Sequence, residues 1–188
     1  MQKNVNMNHS LEYFLKQVPD HRRAQGLMHQ KVPLLMMIVL SNMAGCYGYR
    51  EMASYMKDNY KSFKELYELK HGVIKHVALR TFIQKLDFKA LLKAFREWSN
   101  QFIELEEGDI VSIDGKGLKS TVENSHDASQ NYKSMVSLFC EKTGLIKDTE
   151  MIELKKNHEI GAAQSLIGRL EAKGIIITTD ALHCQKKL

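Results

Sequence analysis

Over the first hundred residues apolar side chains recur every third or fourth position, the spacing of one helix face. Ser10 stands where it would cap a short amphipathic turn carrying Leu11, Phe14, Leu15 and Val18, which Pro19 ends. Pro33 suits the first turn of a buried helix running through Met43, which Gly45 and Gly48 break. Met36, Met37 and Met43 read there as adaptable core residues. Two shorter helical patterns follow, Tyr49 to Lys57 and Ser62 to Leu69. The clearest stripe is Leu91, Leu92, Phe95, Trp98 and Phe102, with Asp87 at its capping position.

Residues 104–109 are polar and include a glycine, and beyond them the pattern changes. They divide a helical domain, 1–104, from a second domain, 105–188. Asp109 to Ile113 predicts a short strand, Gly115 to Gln130 a polar loop, and Ser134 to Cys140 a second strand. Lys142-Thr143-Gly144 supplies a turn into a third strand, Leu145 to Leu154. Asn157 is placed to cap a helix whose Ile160, Ala163, Leu166, Ile167 and Leu170 form one stripe, with Gly174 at its end. Ile175 to Thr179 is a continuous β-branched run, predicting a strand buried on both faces. The fold class is therefore α+β. The order β-β-β-α-β, with a helical crossover, brings the last strand back parallel beside the first. That order opens the ribonuclease H-like fold, here incomplete.

With 188 residues, 44% of them apolar and 26% charged, the chain has the composition of a soluble globular protein of one or two domains. The longest apolar stretch, from Val32 to Met43, is too short to span a membrane. No basic, apolar, small-residue leader opens the chain, which makes the cytoplasm the expected location. Cys46, Cys140 and Cys184 are unevenly spaced and contain no CxxC pair, so they read as reduced thiols. Charge changes the picture more. Residues 1–108 hold 16 Lys and Arg against 11 Asp and Glu, while residues 109–188 hold 11 of each. The whole net charge of +5 thus lies in the first part. This suits either a surface that meets a polyanion or solvated helix faces.

Two short acidic motifs carry the candidate chemistry. Ile113-Asp114-Gly115-Lys116 ends the first predicted strand, and Thr179-Asp180-Ala181 ends the last. An aspartate at a strand end commonly serves a turn. Two on neighbouring parallel strands instead make a hard-oxygen site for Mg²⁺, with Mn²⁺ as a substitute. Two such ions about 4 Å apart would polarise a phosphodiester and stabilise both attacking and leaving oxygens. Glu159, in the first turn of the predicted helix, reads either as a further metal ligand or as an acid favoured by the helix dipole. Lys116 and Lys119 follow Asp114 in a segment suited to meeting a DNA backbone, and Arg22 and Arg23 suit phosphate or a surface ion pair. His183 and Cys184 beside Asp180 lack the partners a zinc site needs.

In these motifs the chain resembles the H-repeat (ISAs-type) branch of bacterial insertion-sequence DDE transposases. The matching stretches are Asp20-His21-Arg22-Arg23 with Gly26 and His29, and Leu86-Asp87 with Phe95 and Trp98. They continue with Ile113-Asp114-Gly115-Lys116, Lys156-Asn157-His158-Glu159-Ile160 and Thr179-Asp180-Ala181-Leu182-His183-Cys184-Gln185. The resemblance implies a helical transposase-associated domain followed by part of a ribonuclease H-like catalytic domain. It also implies that Asp114 and Asp180 are the first two acids of the DDE triad, the third, a glutamate, having no counterpart here. The whole enzyme would bind double-stranded DNA at its element's ends, cut it with Mg²⁺ and join the freed 3′-hydroxyl to target DNA. This chain alone is expected to be inactive in transposition, and homo-oligomers are compatible with the role. The alternatives are a non-catalytic DNA-binding product that occupies element ends or inhibits the intact enzyme, and a decayed gene product.

Overall fold

A computed structural model describes residues 9–24, 27–123, 131–153, 159–170 and 172–179. At 117–123, 131–133, 153 and 159 it describes the backbone alone. The protein is mixed α and β, and its packing divides it into two compact units, residues 1–95 and 96–188.

The first unit is helical. Its elements are α1 (Leu11–Leu15), α2 (Lys31–Met43), α3 (Tyr49–Asp58), α4 (Tyr60–Tyr67) and α5 (His76–Gln84). α6 (Phe88–Asn100) begins in it and ends in the second unit. α3 packs against α2, α4 and α5, and α1 against α2. Leu15, Leu34, Met37, Met56 and Leu79 are fully buried between them. The Lys31 ammonium donates to the Lys16 carbonyl at 2.9 Å and to that of Val18, tying the start of α2 to the end of α1. Asp87 caps α6 as the sequence predicts, its Oδ1 accepting the Ala90 N–H at 3.0 Å. Ser10 holds the N-cap position of α1 but its hydroxyl makes no capping bond.

The unit also departs from the sequence reading at Met43 and at α5. Met43 is exposed, because α2 ends there and its neighbour Ala44 leaves the helix. α5 has no sequence forecast at all. It lacks a polar capping residue, carries the β-branched Val77, Thr81 and Ile83, and shows its core only Leu79 and Phe82.

The second unit is a four-stranded sheet ordered β3-β2-β1-β4, from β1 (Ile110–Glu123), β2 (Asn131–Cys140), β3 (Leu145–Glu153) and β4 (Ile176–Thr179). β1, β2 and β3 form an antiparallel meander, and β4 runs parallel to β1. The crossover carries α7 (Glu159–Gly168), so the order β-β-β-α-β is the expected one. One face of the sheet buries Val111, Ile113, Val136, Leu138 and Ile152 against Ala162, Ala163 and Leu166 of α7. Asp148 lies at the edge of this core and is nearly buried. It accepts from Arg96 and Arg169 at 3.0 Å each, and from the N–H of neighbouring Thr149 at 2.8 Å. Arg169 also reaches Glu150 at 3.0 Å. Burial opposes its charge, but these two carboxylates prevail and raise its pKa.

Three strand-level expectations need correction. β1 does not stop at Ile113 but continues to Glu123, so part of the predicted loop at 115–130 is paired strand. The cause is the ladder to β2, which runs unbroken from Val111↔Cys140 to Leu118↔Lys133 and carries Gly115 and Gly117 with it. Among the described residues β4 pairs with β1 alone and lies at the sheet edge, and Ile176 is half exposed rather than buried on both faces. α7 ends at Gly168, six positions before Gly174. Gly174 instead makes the turn into β4 at φ 72°, where an added Cβ would meet the Glu107 side chain at 2.7 Å. Its carbonyl accepts the Gly108 N–H at 2.8 Å.

Candidate functional site

The register of β1 and β4 decides what their ends can do. Their parallel ladder runs Ile110↔Ile176, Val111↔Ile177, Ser112↔Thr178 and Ile113↔Thr179. The next residues along the two strands are Asp114 and Asp180, and Asp180 lies outside the described residues. Asp114 is in the body of β1 rather than at its end, opposite Ser137 of β2. Alternation places it on the face opposite Ile113, away from the side that packs on α7. It is exposed, and among the described residues its carboxylate has no hydrogen bond or ion pair.

Two residues nearer the start of each strand, the side chains clamp the pair. The Ser112 and Thr178 hydroxyls meet at 2.8 Å, and Ser112 donates to Glu141 Oε1 at 2.5 Å. Sequence reasoning did not single out Ser112, Thr178 or Glu141. The signal was present in the polar alternation of Ser112 and Asp114 between Val111, Ile113 and Gly115.

Of the other candidates, Lys116 is exposed on the Asp114 face of β1, two residues on. Lys119 lies in the backbone of β1. Glu159 opens α7, on the Ile113 side of the sheet. His183 and Cys184 lie outside the described residues. Among the described residues no group of three His, Cys, Asp or Glu side chains could hold a metal ion, and no helix is long and apolar enough to cross a membrane.

In the helical unit Arg22 and Arg23 differ sharply. The Arg22 guanidinium forms a two-pronged pair with Asp20, Nε to Oδ1 at 2.9 Å and Nη2 to Oδ2 at 2.8 Å. Its Nη1 donates to the His29 carbonyl at 2.7 Å, and its plane lies 5.0 Å from the Phe82 ring centroid. The hydrogen bonds from Arg22 lower the pKa of Asp20 against the effect of its burial. Arg23 is exposed and has no ion pair among the described residues.

Known proteins resemble this chain over most of its length. Residues 12–99 match the family described as DDE_Tnp_1-associated. The chain is 28% identical over 181 residues to "Putative transposase YncI" of Escherichia coli O157:H7, covering 95% of this chain and 45% of that protein. The K12 strain's protein of the same name is 28% identical over the same length, with 71% of it covered. "H repeat-associated putative transposase YhhI" of Escherichia coli K12 is 24% identical over 173 residues, 91% of this chain and 44% of that protein. No solved structure gives a significant match. The chain thus spans about half the length of some curated relatives and up to 71% of others. Over that span it is similar to the H-repeat-type transposases.

Proposed function

We propose that the chain is the first part of an insertion-sequence transposase, and that its second unit is the opening half of a ribonuclease H-like catalytic domain. The observation that carries this reading is the parallel register Ile113↔Thr179, immediately before an aspartate on each strand. Continued by one residue, it would set Asp114 and Asp180 side by side. Asp114 suits such a role, being exposed and without a partner among the described residues. A hard-oxygen pair of this kind fits Mg²⁺ or Mn²⁺. Bound there, the metal would supply charge stabilisation for phosphodiester cleavage and strand transfer in double-stranded DNA.

The chain's own residues have the task of holding the two carboxylates in register. The Ser112–Thr178 bridge pins the strands two residues away, and the α7-covered core makes the platform rigid. Glu159 enters as a further acid whose part is settled by Glu159→Gln. Unchanged metal titration of that variant assigns Glu159 to the helix terminus alone. The test of the reading is calorimetric Mn²⁺ titration of the chain beside Asp114→Asn and Asp180→Asn. Saturable binding weakened at least about tenfold in each variant supports it, which is about 1.4 kcal/mol. Equal binding by all three rejects it.

A second reading, a DNA-binding product without catalysis, is favoured by the positive charge of residues 1–95, which carry 15 Lys and Arg against 7 Asp and Glu. The double variant Asp114→Asn/Asp180→Asn separates the two. A binding-only protein keeps its effect on transposition by an intact enzyme, and an enzyme loses it.

A further inference from the structure

The helical unit contains a cleft of about 960 Å³ whose lining comes from three separate stretches of chain. His21, Arg22, Arg23, Met28 and His29 form one wall, residues 71–75 a second, and α5 with its C-cap Lys85 the third. Each stretch contributes an exposed strong cation: Arg23, Lys75 and Lys85. His21, His29 and His71 stand among them, and among the described residues no acidic one lines the cleft. Asp20 beside it does not neutralise these cations, since both its oxygens are taken by Arg22. Among the described residues Arg23, Lys75 and Lys85 have no acidic partner. Arg22 serves as a brace, clamped between Asp20, the His29 carbonyl and the Phe82 ring.

We propose that this cleft binds the sugar-phosphate backbone of double-stranded DNA through Arg23, Lys75 and Lys85. The choice of DNA rests on the transposase reading, while the site itself rests on the convergence of cations in one concavity. The three cations sit about fifty and ten positions apart in sequence, so the fold gathers them rather than a local charge run. A concave surface lined by one sign of charge focuses its field on a polyanion. Lysine and arginine at such a rim gain by displacing counterions from phosphates. Bonds of this kind position a duplex without reading its bases.

The experiment is fluorescence anisotropy of the full chain with a labelled duplex and with its single strand, in chelator and at several salt concentrations. Arg23→Gln/Lys75→Gln/Lys85→Gln is compared with Lys57→Gln/Lys61→Gln/Lys64→Gln. The control removes three exposed charges of α3 and α4 that lie outside the cleft. All six positions are exposed, and matching thermal melts verify that both variants fold. The cleft variant should bind duplex at least about tenfold more weakly at low salt. The slope of log affinity against log salt should drop by about 2.7, at about 0.9 for each phosphate no longer neutralised. The control should lose much less in both respects. Equal loss in the two variants would overturn the proposal, as would tighter binding of the single strand or no duplex binding by the parent chain. Because chelator removes divalent metal, these results are independent of the Mn²⁺ titration, and either reading can fail without the other.

Discussion

The two units differ in charge as well as in architecture. Residues 1–95 carry 15 Lys and Arg against 7 Asp and Glu, whereas residues 96–188 carry 12 against 15. In the helical unit three exposed cations line a cleft with no acid among its described residues. In the sheet unit the strong cations near the core are spent on acids: Arg96 and Arg169 on Asp148, and Lys142 on Glu106 and Asp109. Among the described residues Asp114, on the open face of β1, is an exposed carboxylate without a partner. On the proposed reading one unit would meet a polyanion and the other would hold a cation.

Core truncation tests the separateness of the units with the largest effect. Leu166→Ala removes a fully buried side chain from the α7–sheet core and should cost the sheet unit about 2–5 kcal/mol. Hydrogen exchange should show lost protection in β1 to β3, with α2 and α3 unchanged; equal loss in the helices would merge the two units into one. Asp148→Ala probes the charge contrast. It strands Arg96 and Arg169 beside a partly buried site, at a cost of about 1–3 kcal/mol. Adding Arg169→Met should recover part of that loss in urea melts, and full additivity of the two changes would show that the pair is not coupled.

A smaller effect concerns the clamp below the aspartates. Ser112→Ala breaks the hydroxyl bridge to Thr178 and should cost about 0.5–1.5 kcal/mol, read as faster amide exchange confined to β4 and its partners in β1. Exchange that does not change would show that the bridge does not hold the strands. The smallest is a pH effect in the helical unit. Burial lowers the pKa of His29, helped by the positive charges of His71 and Arg22, with Glu68 and Lys70 in the adjoining pocket. The unfolded chain therefore binds the proton more readily than the folded one. Stability from this group is fully present above the ordinary histidine value of 6.5 and is lost as pH falls below it. Melting of the helical unit should thus decline between about pH 7 and 5 in the parent chain, and less steeply in His29→Gln. Parallel declines would assign the effect elsewhere.

Legibility from sequence followed the strength of local signals. The helices with wide apolar stripes or caps, such as α6 with Asp87, were readable, as was the β-β-β-α-β order. α5 was not, since its β-branched residues weaken the helical signal and two core residues make a thin stripe. The extension of β1 was hidden too, because Gly115, Lys116 and Gly117 become strand through pairing with β2 rather than by their own preference. At the site, Asp114 was conspicuous through its motif. The Ser112–Thr178 bridge depends on a register that no single strand reveals. The cleft was invisible for a similar reason, since Lys75 and Lys85 look like ordinary surface charges until the fold brings them beside Arg23.

Whether Asp114 and Asp180 share one divalent ion can be read by iron-directed self-cleavage of the chain. Fe²⁺ in the Mg²⁺ position, with ascorbate and peroxide, generates hydroxyl radicals that cut the nearest backbone. A shared ion should give paired cuts close to residues 114 and 180, both competed away by Mg²⁺ and both lost in Asp114→Asn. Cuts at one strand alone, or a pattern that survives Asp114→Asn unchanged, would refute the shared site.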